Sequence, residues 1–146
     1  NWVYCTYENK LHIIYKWFPL QICSLREDNC LQCVKKIEMP NFFKIIRGSS
    51  CGFVFENETW FVCHAVSHEN PREYYHIFVV FDSAMTTLVN YTPLLKFSKK
   101  PIEYVLSLIV TDTTIIVPYS IMDGATKIGT YDKKYIESFF YKESKN

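Results

Sequence analysis

The sequence predicts an all-β protein made of blade-like antiparallel sheets, with one short helix at its C-terminal end. Three observations carry this expectation. Apolar residues recur with period 2 almost throughout, the spacing of strands and not of helices. β-Branched and aromatic residues dominate the apolar runs, as a pleated, half-buried surface favours. The runs are short, are separated by turn residues, and fall into three groups of about four, approximately 2–38, 51–91 and 102–131. Four short strands per ~40–50 residues fit propeller blades better than a sandwich or a closed barrel.

Each element has a local reason. Residues 2–7 and Leu11 to Trp17 read as the first two strands, the second stopped by Pro19. Residues 21–25 and 31–37 complete the first group. Ser49 to Gly52 is a small-residue turn. Gly52 to Glu56 and Thr59 to Ala65 form a hairpin around Glu56-Asn57-Glu58. His68 to Arg72 is a polar loop. Tyr74 to Phe81 is a strong strand ended by Asp82-Ser83, and Thr87 to Tyr91 follows, stopped by Pro93. Ile102 to Val110, Thr114 to Tyr119 and Thr126 to Tyr131 make the third group. A helix is expected over 133–140. Asp132 can cap it, and Tyr135, Ile136, Phe139 and Phe140 fall on one stripe. Lys142 to Asn146 reads as a frayed, charged tail.

Composition bounds the function. The 146 residues are 49% hydrophobic and 17% aromatic, enough to pack the core of one domain and too apolar for intrinsic disorder. Lys and Arg number 16 against 15 Asp and Glu, so no polyanion groove and no nucleic-acid partner is expected. No apolar run approaches the ~20 residues of a membrane span. A basic segment followed by an apolar one, as in a signal peptide, is not visible, and a cytoplasmic location is the expectation. The chain opens on Asn1, and Trp2-Val3-Tyr4 already reads as structure, so the natural chain is expected to begin earlier.

Six cysteines are present: Cys5, Cys23, Cys30, Cys33, Cys51 and Cys63. Most sit in apolar, strand-like runs, where reduced cysteine behaves as a small buried hydrophobe. Cys30-Leu31-Gln32-Cys33 is a lone CxxC without the second ligand pair that zinc needs. No metal and no cofactor is expected. Asn57-Glu58-Thr59 and Asn90-Tyr91-Thr92 match the glycosylation acceptor, which carries little weight without a secretory signal.

Five residues are candidates for chemistry. His64 shares a strand face with Trp60 and Val62. It is either a core histidine satisfied by the backbone or an imidazole donating to a sugar hydroxyl or an anion. His76 shares a face with Tyr74 and Phe78 and can meet His64 on a neighbouring strand. Arg47, followed by Gly48-Ser49-Ser50, is either a solvated turn residue or a cation beside exposed backbone N–H groups. Glu103 lies in an apolar strand and needs a partner, for which Arg47 is a candidate. Asp123 sits just past a strand end, where an acid is commonplace.

In order, these segments resemble a family. Asn1-Trp2, Ile14 to Leu20, Arg47 to Ser50, Trp60 to His64, Tyr75-His76, Ile102 to Tyr104 and Tyr119 to Asp123 together resemble the five-bladed β-propeller related to mannoside phosphorylases of the glycoside hydrolases. A version of that propeller stands beside glycosyltransferase domains in bacterial and giant-virus proteins. The resemblance implies about three of five blades, from the C-terminal part, with the catalytic acid on an earlier blade. It implies that Arg47 and His64 lie near phosphate or sugar and that Asp123 closes the tyrosine-containing strand. His76 and Glu103 match the glycosyltransferase-linked version. Ile77 stands where that version usually has Arg, and Ser107 where it usually has Gly. Gly124 replaces a larger residue, and Pro118 removes a ladder donor inside a strand.

Two functions follow from the resemblance. One is a non-catalytic accessory or glycan-binding module attached to a glycosyltransferase domain, and this reading is preferred. The other is the C-terminal part of a glycoside phosphorylase or hydrolase acting on mannosides, with inorganic phosphate as co-substrate and Arg47 and His64 as its cradle. A propeller fragment without retained activity is the third reading.

Overall fold

A computed structural model describes residues 1–141, and the charged tail lies outside the described residues. The chain forms three antiparallel sheets in sequence order, none of them closed. The first holds β1 (Val3–Tyr7), β2 (Lys10–Trp17), β3 (Leu20–Leu25) and β4 (Leu31–Ile37), each paired with the next. The second holds β5 (Arg47–Gly48), β6 (Phe53–Phe55), β7 (Glu58–Ser67), β8 (Glu73–Asp82) and β9 (Leu88–Tyr91). The third holds β10 (Glu103–Val105), β11 (Ile109–Val110), β12 (Thr114–Ile121) and β13 (Ala125–Asp132). The three strand groups read from the period-2 pattern therefore correspond to three sheets.

The second and third sheets share one construction. In each, two short strands pair with the same long strand: β5 and β6 with β7, and β10 and β11 with β12. The expected single strand over Ile102 to Val110 is thus broken. Pro118 supplies the reason. Its carbonyl accepts from Leu106 N–H at 2.9 Å, but it has no N–H to return on that edge. The ladder lapses over Leu106 to Leu108 and resumes at Ile109 opposite Ile116.

β5 corrects a second expectation, because Arg47-Gly48 is strand and not turn. Gly48 lets it form. A Cβ at that position would lie 2.7 Å from Val3 Cγ1 and 3.2 Å from Trp17 Nε1, so only glycine allows β5 to press against the first sheet. A 3₁₀ turn over Asn41–Ile45, absent from the sequence reading, joins the two sheets and buries Phe43 edge-on to Tyr91 at 5.3 Å.

The middle sheet is covered on both faces. Phe61, Cys63 and Ala65 of β7, with Ile77, Val79 and Phe81 of β8, pack against Val3, Ile14, Trp17, Leu20 and Ile22 of the first sheet. Trp60 and Val62, with Phe78 and Val80, pack against Val105, Ile115, Val117 and Ile121 of the third. The face assignment expected from alternation in β7 is the one found. Each of the large side chains buried there is worth ~1.5–3 kcal/mol relative to exposure.

The helix is shorter than expected. α1 spans Lys133–Glu137, capped by Asp132, whose carboxylate accepts from Tyr135 N–H at 3.2 Å. Beyond it, Phe139 and Phe140 close tight turns onto Ile136 and Glu137. Only Ile136 is fully buried, and Phe140 packs on Trp60 at 5.6 Å, while Tyr135 and Phe139 are exposed. The four-residue stripe does not hold, because a single helical turn cannot present it.

Candidate functional site

The site is built from register. Arg47 on β5 pairs with His64 on β7, and His64 pairs with His76 on β8. Directly opposed residues project to the same face, so the three side chains form a row on the face turned to the third sheet. Arg47 ends the row in solvent, and His76 ends it fully buried. The expected meeting of His64 and His76 is therefore present.

His64 is held from three sides. Its Nδ1 lies 2.7 Å from Ser49 Oγ. Its ring sits 5.7 Å from that of Tyr74 and 5.4 Å from that of Tyr104. Ser49 reaches it because Ser50 stands in for a missing stretch of ladder. Ser50 N–H donates to Val62 O at 2.9 Å, and Ser50 Oγ accepts from Val62 N–H at 2.7 Å. Burial, followed by the nearby His76 and the Arg47 and Arg72 cations, lowers the His64 pKa to about 4. The imidazole is neutral at pH 7. Tyr104 also accepts from Asn1 Nδ2 through its hydroxyl at 2.9 Å, and Arg72 lies over the Tyr74 ring at 5.4 Å.

Glu103 occupies the buried end. It is fully enclosed, and its partners are local rather than Arg47. Phe97 N–H donates to Oε2 at 3.0 Å and Ser98 N–H to Oε1 at 2.6 Å, and the Ser98 hydroxyl also donates to Oε1. His76 Nε2 lies 3.3 Å from Oε2, within ion-pair reach but without hydrogen-bond alignment. Burial pushes the carboxyl up, but these donors outweigh it and hold it below the usual glutamate range. Phe97 stacks on His76 at 4.8 Å, and His76 Nδ1 has no hydrogen-bond partner among the described residues.

Asp123 stands apart. It lies exposed in the β12–β13 turn with φ of 53°, and it has no hydrogen-bond or ion-pair partner among the described residues. The structure thus groups Arg47, His64 and His76 with Glu103 and leaves Asp123 outside their contacts. Ser49, Tyr74, Tyr104 and Ser98 are participants that the sequence reading missed. Ser49 lay within the Arg47-Gly48-Ser49-Ser50 run, so its signal was present. Ser98 carried none, because only the turn before β10 brings it to Glu103. An apolar groove of about 290 Å³, lined in part by Leu94, Phe97, Tyr131 and Ile136, shares Phe97 with this cluster but none of its charged residues.

Among the described residues no group of three or more His, Cys, Asp or Glu side chains is arranged to hold a metal. Cys5, Cys23 and Cys63 are buried as expected, whereas Cys30, Cys33 and Cys51 are exposed. Among the described residues no helix is long and apolar enough to cross a membrane. The chain matches no protein-family model, no curated protein and no solved structure.

Proposed function

We propose that the chain is a glycan-binding, non-catalytic module, built as consecutive propeller blades and serving a glycosyltransferase-type protein. Its ligand is a neutral sugar or a sugar phosphate, bound where Arg47, Tyr74 and Tyr104 reach the surface around the buried His64. The observation that carries this reading is the register row of Arg47, His64 and His76, with Tyr74 and Tyr104 flanking the imidazole. A cation, a neutral imidazole and two tyrosine rings together supply donors and stacking faces suited to a sugar.

The same geometry favours binding over catalysis. A general acid must be able to reach the reacting oxygen. Glu103 is enclosed and committed to four donor groups or near contacts, and Asp123 stands in a separate turn. The experiment is a titration of the isotope-labelled chain with mannosides and mannose 1-phosphate, followed through amide resonances. Shifts are expected at Arg47, Ser49, His64 and Tyr104, weakened at least ~10-fold in Arg47→Ala, the scale of a lost charged hydrogen bond. Absence of any shift at millimolar sugar would refute the binding role. Phosphate-dependent cleavage of a mannoside would replace it with the phosphorylase reading.

A further inference from the structure

β3 and β4 form the outer hairpin of the first sheet, and their register changes once. Leu20, Gln21 and Ile22 face Ile37, Lys36 and Lys35 one for one, and then Cys23 faces Cys33. Val34 is the extra residue. Without this bulge Cys23 would face Val34, and Cys33 would face Ser24. Directly opposed residues have Cα atoms ~4.5–5.5 Å apart, within the ~4.4–6.8 Å span of a disulfide. The sequence neighbour Cys30 is not an alternative. Leu31 to Cys33 is extended, and at ~3.3 Å per residue Cys30 lies about 10 Å from Cys33.

The two thiols differ in access. Cys33 is exposed, and its Sγ donates to Lys35 O at 3.5 Å. Cys23 is buried, and burial followed by the adjacent Cys33 pushes its thiol up. Cys33 is thus the sulfur that a dissolved reagent meets first.

We propose that Cys23 and Cys33 form a reversible cross-strand disulfide that pins the edge strand β4. The oxidant is a small-molecule disulfide of the glutathione type. Cys33 thiolate attacks it, forming a mixed disulfide and releasing one small thiol. Cys23, deprotonated, then attacks the Cys33 sulfur, and the second small thiol leaves. The two cysteines lose two electrons and two protons, and the small disulfide gains both. The bond acts on β4, which among the described residues pairs with β3 alone and is largely exposed.

The test is oxidation of the full chain with glutathione disulfide, blocking of residual thiols and digestion with trypsin. Cys23 falls in peptide 17–26, and Cys30 and Cys33 fall together in peptide 27–35. The two peptides are expected to be cross-linked after oxidation and separate after reduction. The cross-link should persist in Cys30→Ser and vanish in Cys33→Ser, a substitution at an exposed position that leaves the core intact. A cross-link that survives Cys33→Ser, or free or glutathionylated thiols at both positions in the oxidised parent, would overturn the assignment. Exchange of the β4 amides with deuterium should slow at least ~3-fold on oxidation. Unchanged exchange in the cross-linked protein would overturn the pinning role.

Discussion

His64 couples the candidate site to the stability of the chain. Its pKa is lowered from 6.5 to about 4 in the folded state. Between those values the unfolded chain binds more protons than the folded one, so stability rises with pH across that window. The contribution is complete above pH 6.5 and is lost as pH falls through 4. Urea midpoints measured from pH 7 to pH 4 should therefore fall, and the fall should flatten in His64→Gln. An unaltered slope in that variant would place the acid sensitivity elsewhere. Glu103 makes a separate prediction. Its two oxygens each face a backbone N–H, from Phe97 and from Ser98. Glu103→Gln must turn an amide NH₂ toward one of them, at a cost of about 1–3 kcal/mol. Urea unfolding at pH 7 measures it, and a loss under ~0.5 kcal/mol would show that the cluster rearranges freely.

At the scale of elements, β7 and β8 differ from every other strand because both of their faces are covered. Phe61 illustrates the consequence. It is fully buried, edge-on to Trp17 at 5.3 Å and to Phe81 at 6.0 Å. Phe61→Ala should cost about 3–5 kcal/mol, whereas Val54→Ala, at an exposed position of β6, should cost less than ~1 kcal/mol. Similar losses in the two variants would contradict the layered packing. α1 is the opposite case. It has one turn, one buried residue and a single side-chain cap, so it is held by Ile136 and Asp132 rather than by helix propensity. Asp132→Ala should remove ~1 kcal/mol, read as a local loss of protection at Tyr135 rather than as global unfolding.

At the scale of the whole molecule, the middle sheet belongs to both cores, so neither core can be lost without exposing it. Trp17 lies in the core shared with the first sheet, and Trp60 in the core shared with the third. In one sample of the chain labelled with fluorotryptophan, the 19F resonances of Trp17 and Trp60 should report the same urea midpoint. Midpoints separated by more than ~0.5 M would mean that the outer sheets melt independently.

The sequence by itself determined most of the strands and their grouping into three sets. Period-2 alternation, β-branched and aromatic residues and the turn residues are local signals that neighbouring residues reinforce. It also determined which residues share a face of β7, since alternation leaves no freedom once the strand forms. Tertiary structure alone decided the rest. It split the strand over Ile102 to Val110 at the missing Pro118 donor, and it made Arg47-Gly48 a strand because Val3 and Trp17 leave room only for hydrogen at Gly48. It gave Glu103 to His76, Phe97 and Ser98 instead of Arg47, and Cys33 to Cys23 instead of Cys30. Each of these depends on the register between strands, and one bulged residue changes every partner that follows it. No single strand's residue pattern encodes that choice; the packed sheets set it.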